Sequence, residues 1–536
     1  MPDEFEGCKV VFPQYRRGRA GIPAFDGTIL DHARKLGIEI QVECGGKGTC
    51  GRCVVRIAAG AEFLNPLSEA EARSSLGQSE RLACQARISR PGNVTVYVRN
   101  AGAYSILSES LHREIGLDPL VCATNGQVVW TGCEPPRVLS HRPEDGLYGL
   151  AVDVGTTTVV CQLLDLQTGQ EVATSAARNP QAAYGDDVIS RIGHAMYNDD
   201  GLAELQRVIL KAVNERLADL RTPRGIPADA IYEAVIVGNP TMRNIFFHLD
   251  VRSLGVLPFE PTAPEALNVS AADLGLNLNP RANVYGAALI GGHAGADCLA
   301  DVMSCGQYEA ERPCLVIDIG TNGEVAIGNR DRIMTASCAA GGAYEGATVG
   351  CGVGAIEGAI KSLWFENGDV RYATIGDKPP IGVCGSGLID LLAELLRAGI
   401  MDRRAKIRED FVIAPNIRLT QQDIHQLITA KGGLRTDQDL LIRYYGVELA
   451  DLEAVYLAGA FANYINVDNA IEIGLLPDAS DKVRKIGNGA LAGAREMLLS
   501  RHLRETSEAV ARAIEHVKPN ELEPDFAFLV ADHMYF

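Results

Sequence analysis

Four cysteines near the start of the chain are spaced so that they could bind an iron–sulfur cluster. Cys44, Cys50 and Cys53 form the pattern C-x5-C-x2-C, and Cys84 follows farther along the chain. The loop around the first three is rich in glycine. Glycine permits backbone angles that let several N–H groups point at the sulfurs, which stabilises a reduced, more negative cluster. This arrangement favours a [2Fe–2S] cluster held by four thiolates.

Two other interpretations of the same cysteines stay open. The four thiols could bind zinc, or they could be unrelated. Zinc ribbons usually pair two C-x2-C knuckles, whereas this chain has one such knuckle near its start and a wide gap before the fourth cysteine. Most of the 14 cysteines are scattered along the chain, as expected for buried thiols in a reducing compartment.

A second group of candidate residues belongs to an internal echo of the sequence. The string AVDVGTTTVV at 151–160 recurs as VIDIGTNGEV at 316–325. In each copy an apolar strand leads to an aspartate, and a glycine then permits a tight turn whose N–H groups can approach phosphate oxygens. The threonine hydroxyls add donors, and the aspartate can hold Mg²⁺ directly or through water. One such loop is usually an ordinary hairpin, but two predict a two-sided phosphate clamp.

Short strands around one helix are expected to position the cysteines. The strands are predicted at 8–12, 54–57 and 94–99, and the helix over Thr28–Leu36 with Thr28 as its N-cap. A capping pattern at Ser68–Glu71 predicts another short helix. The stretch 99–146 gathers prolines and loses periodicity, which indicates a linker with one helix over Tyr104–Leu117.

From Gly149 onward, strands alternate with helices, which is typical of α/β layers. Apolar residues from Leu205 to Leu220 fall on one face of a predicted amphipathic helix. A second helix is predicted over Leu388–Leu396, with Ser386 before it and Gly399 after it.

Composition bounds the class of protein. The 536-residue chain has 50 Lys and Arg against 68 Asp and Glu, a net charge of −18, and 47% hydrophobic residues. At roughly 150 residues per domain this length predicts about three or four domains. The negative charge argues against non-specific nucleic-acid binding. No apolar run is long enough to span a membrane, and the start MPDEFEG lacks a signal peptide's basic and apolar regions. We therefore expect a cytoplasmic protein with neither membrane nor nucleic-acid partners.

Residues 1–98 resemble the [2Fe–2S] ferredoxins of the β-grasp fold. The five-residue first gap is closer to the adrenodoxin and putidaredoxin type than to the plant type. The string RLACQ around Cys84 is also ferredoxin-like. The resemblance implies that Cys44, Cys50, Cys53 and Cys84 are the cluster ligands.

The two hairpins resemble the phosphate motifs of the superfamily of actin, heat-shock chaperone ATPases and sugar kinases (ASKHA), in which two lobes close over ATP. The resemblance assigns phosphate 1 to Asp153, Gly155, Thr156 and Thr157, and phosphate 2 to Asp318, Gly320, Thr321 and Asn322. The string VYLAGAF at 455–461, which includes Gly459, matches the adenosine motif. Further glycine turns against the nucleotide are predicted at Gly341, Gly342 and Gly385, although glycine at a helix N-terminus explains them equally well.

Taken whole, the chain resembles the reductive activators of corrinoid proteins. Further strings carry this resemblance, at 179–181, 185–191, 237–242 and 458–462. It implies a multidomain α+β and α/β protein: a β-grasp ferredoxin domain at 1–98, a linker or dimerisation segment at 99–146, and a two-lobed ATPase at 147–536, with lobes at about 147–312 and 313–536.

The resemblance also implies an activity. A [2Fe–2S] cluster, ATP and Mg²⁺ would be the cofactors, and the cluster would pass an electron to the inactive Co(II) corrinoid of a methyltransferase corrinoid protein to restore Co(I). An upstream low-potential electron donor and a homodimer are implied as well. Asp153 and Asp318 are the candidates for Mg²⁺ binding and water positioning. Asp187 and Asn239 are weaker candidates near the γ-phosphate, since a solvated loop acid and a turn residue explain them as well.

Three rival functions remain. An ATP-driven activator of a 2-hydroxyacyl-CoA dehydratase would use Cys338 as ligand of a [4Fe–4S] cluster bridging a homodimer, with Cys384 or Cys351 as its partner thiol; buried cysteine is the commoner interpretation. A sugar or acetate kinase would leave the ferredoxin without a task. A non-catalytic ATP-binding redox sensor or chaperone would bind nucleotide without corrinoid-stimulated turnover.

Overall fold

The chain folds into two compact units. The computed structural model describes residues 4–12, 20–36, 38, 40, 46–48, 53–74, 76, 79–98, 113–338, 342–346, 348–366, 368–459 and 462–536. The first unit comprises Met1–Ala103 and Asn179–Val208, and the second comprises Tyr104–Arg178 and Ile209–Phe536. Among the described residues, no helix combines the length and the apolar character that crossing a membrane requires.

Residues 4–98 of the first unit form a five-stranded sheet with one helix of two turns and one shorter helix. The elements, in chain order, are β1 Glu4–Phe12, β2 Ala20–Phe25, α1 Ile29–Leu36, β3 Val54–Ala59, α2 Glu69–Ala72, β4 Glu80–Leu82 and β5 Val94–Val98. The strands lie in the order β2-β1-β5-β3-β4. The strands and the helix predicted in this region are thus confirmed, with ends shifted by a few residues.

Side-chain hydrogen bonds fix the starts of both helices. The Thr28 hydroxyl accepts a bond from the Asp31 backbone N–H at 3.1 Å, as expected of the N-cap of α1. At α2, Ser68 and Glu71 form the predicted capping box. The buried Glu71 carboxylate also pairs with Arg81 at 2.7 Å, which ties α2 to β4.

The segment predicted as a linker contains a three-stranded antiparallel sheet, so that part of the prediction is wrong. Its strands are β6 Val121–Thr124, β7 Gln127–Trp130 and β8 Arg137–Ser140. Asn125 and Gly126 turn the first hairpin with φ values of 51° and 72°, which an Asn-Gly pair adopts readily. Buried Val128 and Trp130 give the sheet its apolar contacts. Of the predicted helix over 104–117, residues 113–117 are not helical and the rest lies outside the described residues.

The next stretch of chain builds a six-stranded sheet in the second unit. Its strands are β9 Tyr148–Val154, β10 Thr158–Asp165, β11 Glu171–Arg178, β12 Ile231–Val237, β13 Leu267–Ser270 and β14 Asn283–Gly286, in the order β11-β10-β9-β12-β14-β13. The helices along this stretch are α3 Val188–Tyr197, α4 Gly201–Arg221, α5 Pro240–Phe246, α6 Ala271–Leu274 and α7 Ala296–Ser304. The helix predicted over 205–220 is confirmed as α4, with Leu205 and Leu217 fully buried.

A second six-stranded sheet follows, together with two smaller ones. The strands are β15 Cys314–Ile319, β16 Gly323–Asn329, β17 Arg332–Cys338, β18 Ala359–Glu366, β19 Asp369–Thr374, β20 Gly382–Val383, β21 Phe411–Ala414, β22 Ile417–Leu419, β23 Ala454–Ala458, β24 Val483–Gly487 and β25 Glu515–His516. The large sheet has the order β24-β23-β15-β16-β17-β25. The helices are α8 Gly385–Arg397, α9 Gln421–Tyr445, α10 Val467–Glu472, α11 Gly489–Leu499, α12 Arg501–Ala513, α13 Pro519–Leu522 and α14 Phe526–His533.

The two large sheets share one plan, which explains the internal echo of the sequence. In the first, β9 pairs antiparallel with β10 and parallel with β12. In the second, β15 pairs antiparallel with β16 and parallel with β23. Each echo therefore forms a central strand, a tight turn and the start of the neighbouring strand. Two lobes of one architecture were predicted from this repeat, and the sheets have that arrangement.

Helices α7 and α11 cross at very close range between the two sheets. A Cβ atom at Gly493 would lie 2.3 Å from the Ala300 carbonyl oxygen, so only glycine fits there. Leu491 and Met497 of α11 are buried in one core cluster with strands β9 and β12. The predicted second lobe at 313–536 thus contains a helix that packs against the first sheet, because the chain crosses over after β24.

Candidate functional site

Two of the four predicted cluster ligands lie side by side in the first unit. The Cys53 and Cys84 sulfurs are 3.3 Å apart, and both residues are buried. Strand pairing positions them: Val54 of β3 lies opposite Leu82 of β4, and the Ala83 backbone N–H donates to the Cys53 carbonyl at 2.8 Å. Cys44 and Cys50 lie outside the described residues.

The surroundings of Cys84 stabilise a thiolate. The neighbouring Cys53 thiol lowers the pKa of Cys84 to about 6, and the Gln85 side chain and the Gly48 backbone N–H act in the same direction against the effect of burial. Gly48 has a φ of 77°, and a Cβ there would lie 2.8 Å from the Cβ of Ala70. A glycine in this loop therefore lets a backbone N–H approach the sulfur, as the sequence predicted.

These two cysteines fit a metal cluster. Metal–thiolate bonds of about 2.3 Å put two sulfurs on one tetrahedral metal about 3.8 Å apart, and the Cys53 and Cys84 sulfurs, at 3.3 Å, need only a small adjustment. Within the described part of the chain no three Cys, His, Asp or Glu side chains are grouped closely enough to hold a metal ion. The two described cysteines would thus need Cys44 and Cys50 to complete the site.

In the second unit the two phosphate hairpins face one cleft. The space in this cleft amounts to about 640 Å³ with open solvent included. Ten of the predicted residues line it: Asp153, Gly155, Thr156, Thr157, Asn239, Asp318, Gly320, Thr321, Asn322 and Gly459. The echo copies, far apart in sequence, are therefore brought together.

Direct hydrogen bonds link the two hairpins. The hydroxyl oxygens of Thr157 and Thr321 are 2.8 Å apart. The Thr157 hydroxyl also lies 2.8 Å from a carboxylate oxygen of Glu345, to which it can donate. The Thr321 hydroxyl donates to the same carboxylate oxygen. Glu345, which the sequence analysis did not single out, therefore contacts both phosphate loops.

Two asparagines hold the loop side chains in place. The Asn239 amide donates to the Thr156 hydroxyl at 2.8 Å, while its carbonyl oxygen caps α5. The Asn488 amide donates to the Asp153 carboxylate at 3.0 Å, while its carbonyl oxygen caps α11. Asn239 is thus a turn residue and a cleft residue at once, and Asn488 is a cleft residue that the sequence analysis missed.

The glycine predicted in the adenosine motif is required by the backbone. Gly459 has a φ of 116°, and a Cβ there would lie 2.5 Å from the Ile319 carbonyl oxygen and 2.9 Å from the Asp318 carboxylate. In the first hairpin, a Cβ at Gly155 would lie 2.6 Å from the Thr158 carbonyl oxygen. Close backbone approach around the two aspartates therefore depends on these glycines.

The cleft is strongly acidic. Burial raises the pKa of Asp153 and of Asp318 to about 7 each, with the charge of Asp297 acting in the same direction. Burial also raises the pKa of Asp297 to about 6. Neither lysine nor arginine occurs among the described residues that line the cleft. An anionic ligand such as a phosphate would therefore need a divalent cation with it, and carboxylates are suitable ligands for Mg²⁺.

Comparison with known proteins agrees with this division of the chain. A family model described as a 2Fe-2S iron-sulfur cluster binding domain matches residues 22–89. The RACo middle region matches 148–310, and the C-terminal domain of RACo, the ASKHA domain, matches 312–534. The "Corrinoid activation enzyme RamQ" of Eubacterium limosum is 30% identical over 92% of this chain and 93% of its own length. The chain belongs to the family of corrinoid-protein reductive activators.

Two further relatives support membership of this activator family. The solved structure of a "Reductive activator for corrinoid,iron-sulfur protein" has 30% identity, a TM-score of 0.73 and 98% coverage of both chains. The "[Co(II) methylated amine-specific corrinoid protein] reductase" of Methanosarcina barkeri is 25% identical over 66% of this chain and 70% of its own length. The fold expected for the activator family, a ferredoxin domain followed by an actin-like ATPase domain, is confirmed.

Other predicted residues of this activator have local structural tasks. Asp187, in the first unit, caps α3 by accepting a bond from the Ser190 N–H at 2.7 Å. Gly385 is the first residue of α8, whose N-cap is Cys384, so Ser386 lies inside the helix instead of before it. The Gly342 N–H donates to the Thr321 carbonyl at 3.3 Å. Gly341 lies outside the described residues, and nucleotide-binding roles for these residues stay predictions.

Several acids of the cleft are not among the predicted site residues. Asp297, Glu324 and Glu345 line it. Behind them, Asp301 faces Asp318, and burial raises the pKa of Asp301 well above its usual range. Only Glu324 stood within a motif that the sequence analysis quoted. The others follow no recognisable spacing, because α7 and the loop after β17 bring them to the cleft.

Of the thiols needed for the dehydratase-activator alternative, Cys351 and Cys384 are buried and Cys338 is half-buried. Cys384 is 2% exposed, and its thiol donates to the Ile360 carbonyl at 3.3 Å. Cys351 is 6% exposed. Burial raises the pKa of Cys338 well above its usual range, which disfavours the thiolate that a metal requires. These observations favour structural cysteines over a second cluster.

Proposed function

We propose that this protein is an ATP-dependent reductive activator that passes one electron to the Co(II) corrinoid of a methyltransferase corrinoid protein and thereby restores Co(I). The observation that carries the proposal is the presence of two separate sites in one chain of this family. One is the paired Cys53 and Cys84 thiols, and the other is the cleft between two phosphate hairpins.

The first site would handle the electron. A [2Fe–2S] cluster bound there by Cys44, Cys50, Cys53 and Cys84 would supply one-electron transfer. Cys84 contributes a thiolate favoured by its neighbours, and the Gly48 N–H faces its sulfur. An upstream low-potential donor would have to reduce the cluster again after each transfer.

The second site would bind ATP with Mg²⁺. Asp153 and Asp318 stand at the base of the cleft and would hold the cation directly or through water. Thr156, Thr157 and Thr321 offer hydroxyl donors to phosphate oxygens. Mg²⁺ usually takes one or two carboxylates and completes its shell with phosphate oxygens and water. The two aspartates of this acidic cleft would supply the carboxylates, and phosphate oxygens and water would complete the coordination of Mg²⁺.

ATP has a clear energetic role in this scheme. Each 59 mV by which an electron must move uphill costs about a factor of ten in the equilibrium constant for a one-electron step. A nucleotide can offset that cost only by favouring a state of the complex in which the cobalt is ligated differently. We infer that closure of the two lobes on ATP favours that state and that hydrolysis resets it. Homodimeric assembly belongs to the proposal on the family resemblance alone, and a cytoplasmic location belongs to it on the sequence features described above.

The test is anaerobic visible spectroscopy of a Co(II) corrinoid protein with catalytic amounts of the full chain and a low-potential reductant. We expect Co(I) to appear only when Mg-ATP is present. Cys84→Ser should abolish Co(I) formation. Cys133→Ser is the matched control, because Cys133 is exposed and distant in sequence from the ligands; it should retain activity. Co(I) formation without ATP, or none with any corrinoid protein, would overturn the proposal.

A further inference from the structure

The carboxylate of Glu345 lies at one hydroxyl group of each predicted phosphate hairpin. It accepts from the Thr321 hydroxyl and lies 2.8 Å from the Thr157 hydroxyl oxygen. These hydroxyls belong to the two hairpins whose sequence predicts phosphate binding. Glu345 itself follows β17 and is part of neither hairpin.

A hydroxyl group has one proton to donate. Each of Thr157 and Thr321 can therefore direct its proton to Glu345, to the other threonine or to a phosphate oxygen, but to only one of them at a time. A carboxylate and a phosphate at the same donors would also repel each other, because both carry negative charge and the cleft excludes part of the solvent. Binding of phosphate to these threonines thus requires Glu345 to move away.

We propose that Glu345 competes with the phosphate groups of the nucleotide for Thr157 and Thr321, and so sets the affinity of the cleft for triphosphate. This inference rests on the proposed ATP-binding function. Through the two threonines Glu345 ties the phosphate hairpins together, and a bound phosphate takes over that link. Glu345 thus acts as a specificity residue, because it lowers the affinity of the cleft for ligands that cannot displace its carboxylate.

The test compares dissociation constants for ATP and AMP in the presence of Mg²⁺, measured by calorimetry on the full chain. We expect Glu345→Gln to bind ATP about tenfold more tightly, since a neutral amide is a weaker acceptor than a carboxylate. Glu345→Ala should show at least the same gain. AMP affinity should not change, because AMP has no terminal phosphates to reach the threonines.

Glu324→Gln is the matched control. Glu324 lines the same cleft, so its replacement by glutamine tests the loss of a cleft carboxyl other than that of Glu345. The Glu324 carboxyl lies 3.5 Å from the Ser337 hydroxyl instead of at the threonines. We expect the effect of Glu324→Gln on ATP affinity to be smaller than that of Glu345→Gln, because the threonine protons contested by Glu345 are not involved. An equal gain in this variant would overturn the inference.

A double-mutant cycle separates competition from a change of shape. Thr157→Val should weaken ATP binding and should reduce the gain that Glu345→Gln gives, because the contested proton is gone. Fully additive effects would overturn the inference. So would unchanged ATP affinity in both Glu345 variants when the wild-type protein binds ATP. Failure of every variant and the wild type to bind ATP would overturn the proposed function as well.

Discussion

At the scale of single residues, Asp153 and Asp318 are buried, yet they must be charged to bind a cation. Each lies at the end of a central strand, β9 or β15, and burial raises the pKa of each to about 7. Below that pH the carboxyls hold protons, and a cation must displace them. Burial disfavours the free, charged carboxylates, but a divalent ion can still bind them once their protons have left.

We therefore predict that Mg²⁺ affinity in the presence of ATP rises with pH. Between pH 6 and pH 7 the affinity should rise by up to about tenfold per proton displaced, and it should level off above pH 8. Calorimetric titration at pH 6, 7 and 8 measures this. Asp318→Asn should bind Mg²⁺ more weakly and with a flatter pH profile. A wild-type affinity independent of pH would contradict the prediction.

At the scale of secondary-structure elements, α7 and α11 cross at close range, and both helices contribute residues to the cleft. Asp297 of α7 lines the cleft, and so does Gly489 at the start of α11. Deeper along the two helices, backbone meets backbone at Gly493 and Ala300. The close approach at Gly493 thus contributes to positioning the cleft residues of both helices.

Gly493→Ala should destabilise the second unit by about 1–3 kcal/mol, because its Cβ would overlap the Ala300 backbone. The thermal transition of that unit, followed by calorimetry, should move to lower temperature. Gly433→Ala is the control in the same unit: its Cβ would lie 3.7 Å from the nearest atom, the Cys338 sulfur. That change should leave stability equal or slightly higher. Equal losses in both variants would argue against the close crossing.

Sequence reasoning succeeded where strand, turn and functional group are contiguous. The Asp-x-Gly-Thr strings carry all three in one stretch, so both hairpins and their shared cleft were predictable. Asp297, Glu345 and Asn488 were not, because tertiary packing alone brings them to the cleft. The hairpin at Asn125–Gly126 was not predicted although its turn signal is present in the sequence, because the nearby prolines favour a linker. Cys44 and Cys50 remain predictions by spacing.

At the scale of the whole molecule, the two sites depend on different cores. Val10, Phe12, Val55 and Leu82 are buried in a core cluster of the first unit, which also includes Cys53 and Cys84. The second unit has its own clusters, one around β9 and β12 and another around β15 and β23. Damage at one site should therefore leave the other intact.

We predict that Cys84→Ser removes the visible absorption of the cluster and leaves ATP affinity unchanged. Conversely, Thr321→Val should lower ATP affinity by about tenfold, through loss of one hydroxyl donor to a charged group, and should leave the visible spectrum unchanged. Absorption spectroscopy and calorimetry on the same preparations measure both properties. Loss of ATP binding in Cys84→Ser would contradict the independence of the sites.

The pairing of β3 with β4 has a consequence for how this protein can be observed. Val54 lies opposite Leu82, and the Ala83 N–H donates to the Cys53 carbonyl, so a single pair of strands anchors two of the four predicted ligands. If these strands separate, both anchors are lost together. The visible absorption of the protein with its cluster bound would then report on the pairing of β3 with β4. Loss of this absorption on heating would report the melting of the first unit, whatever the state of the rest of the chain.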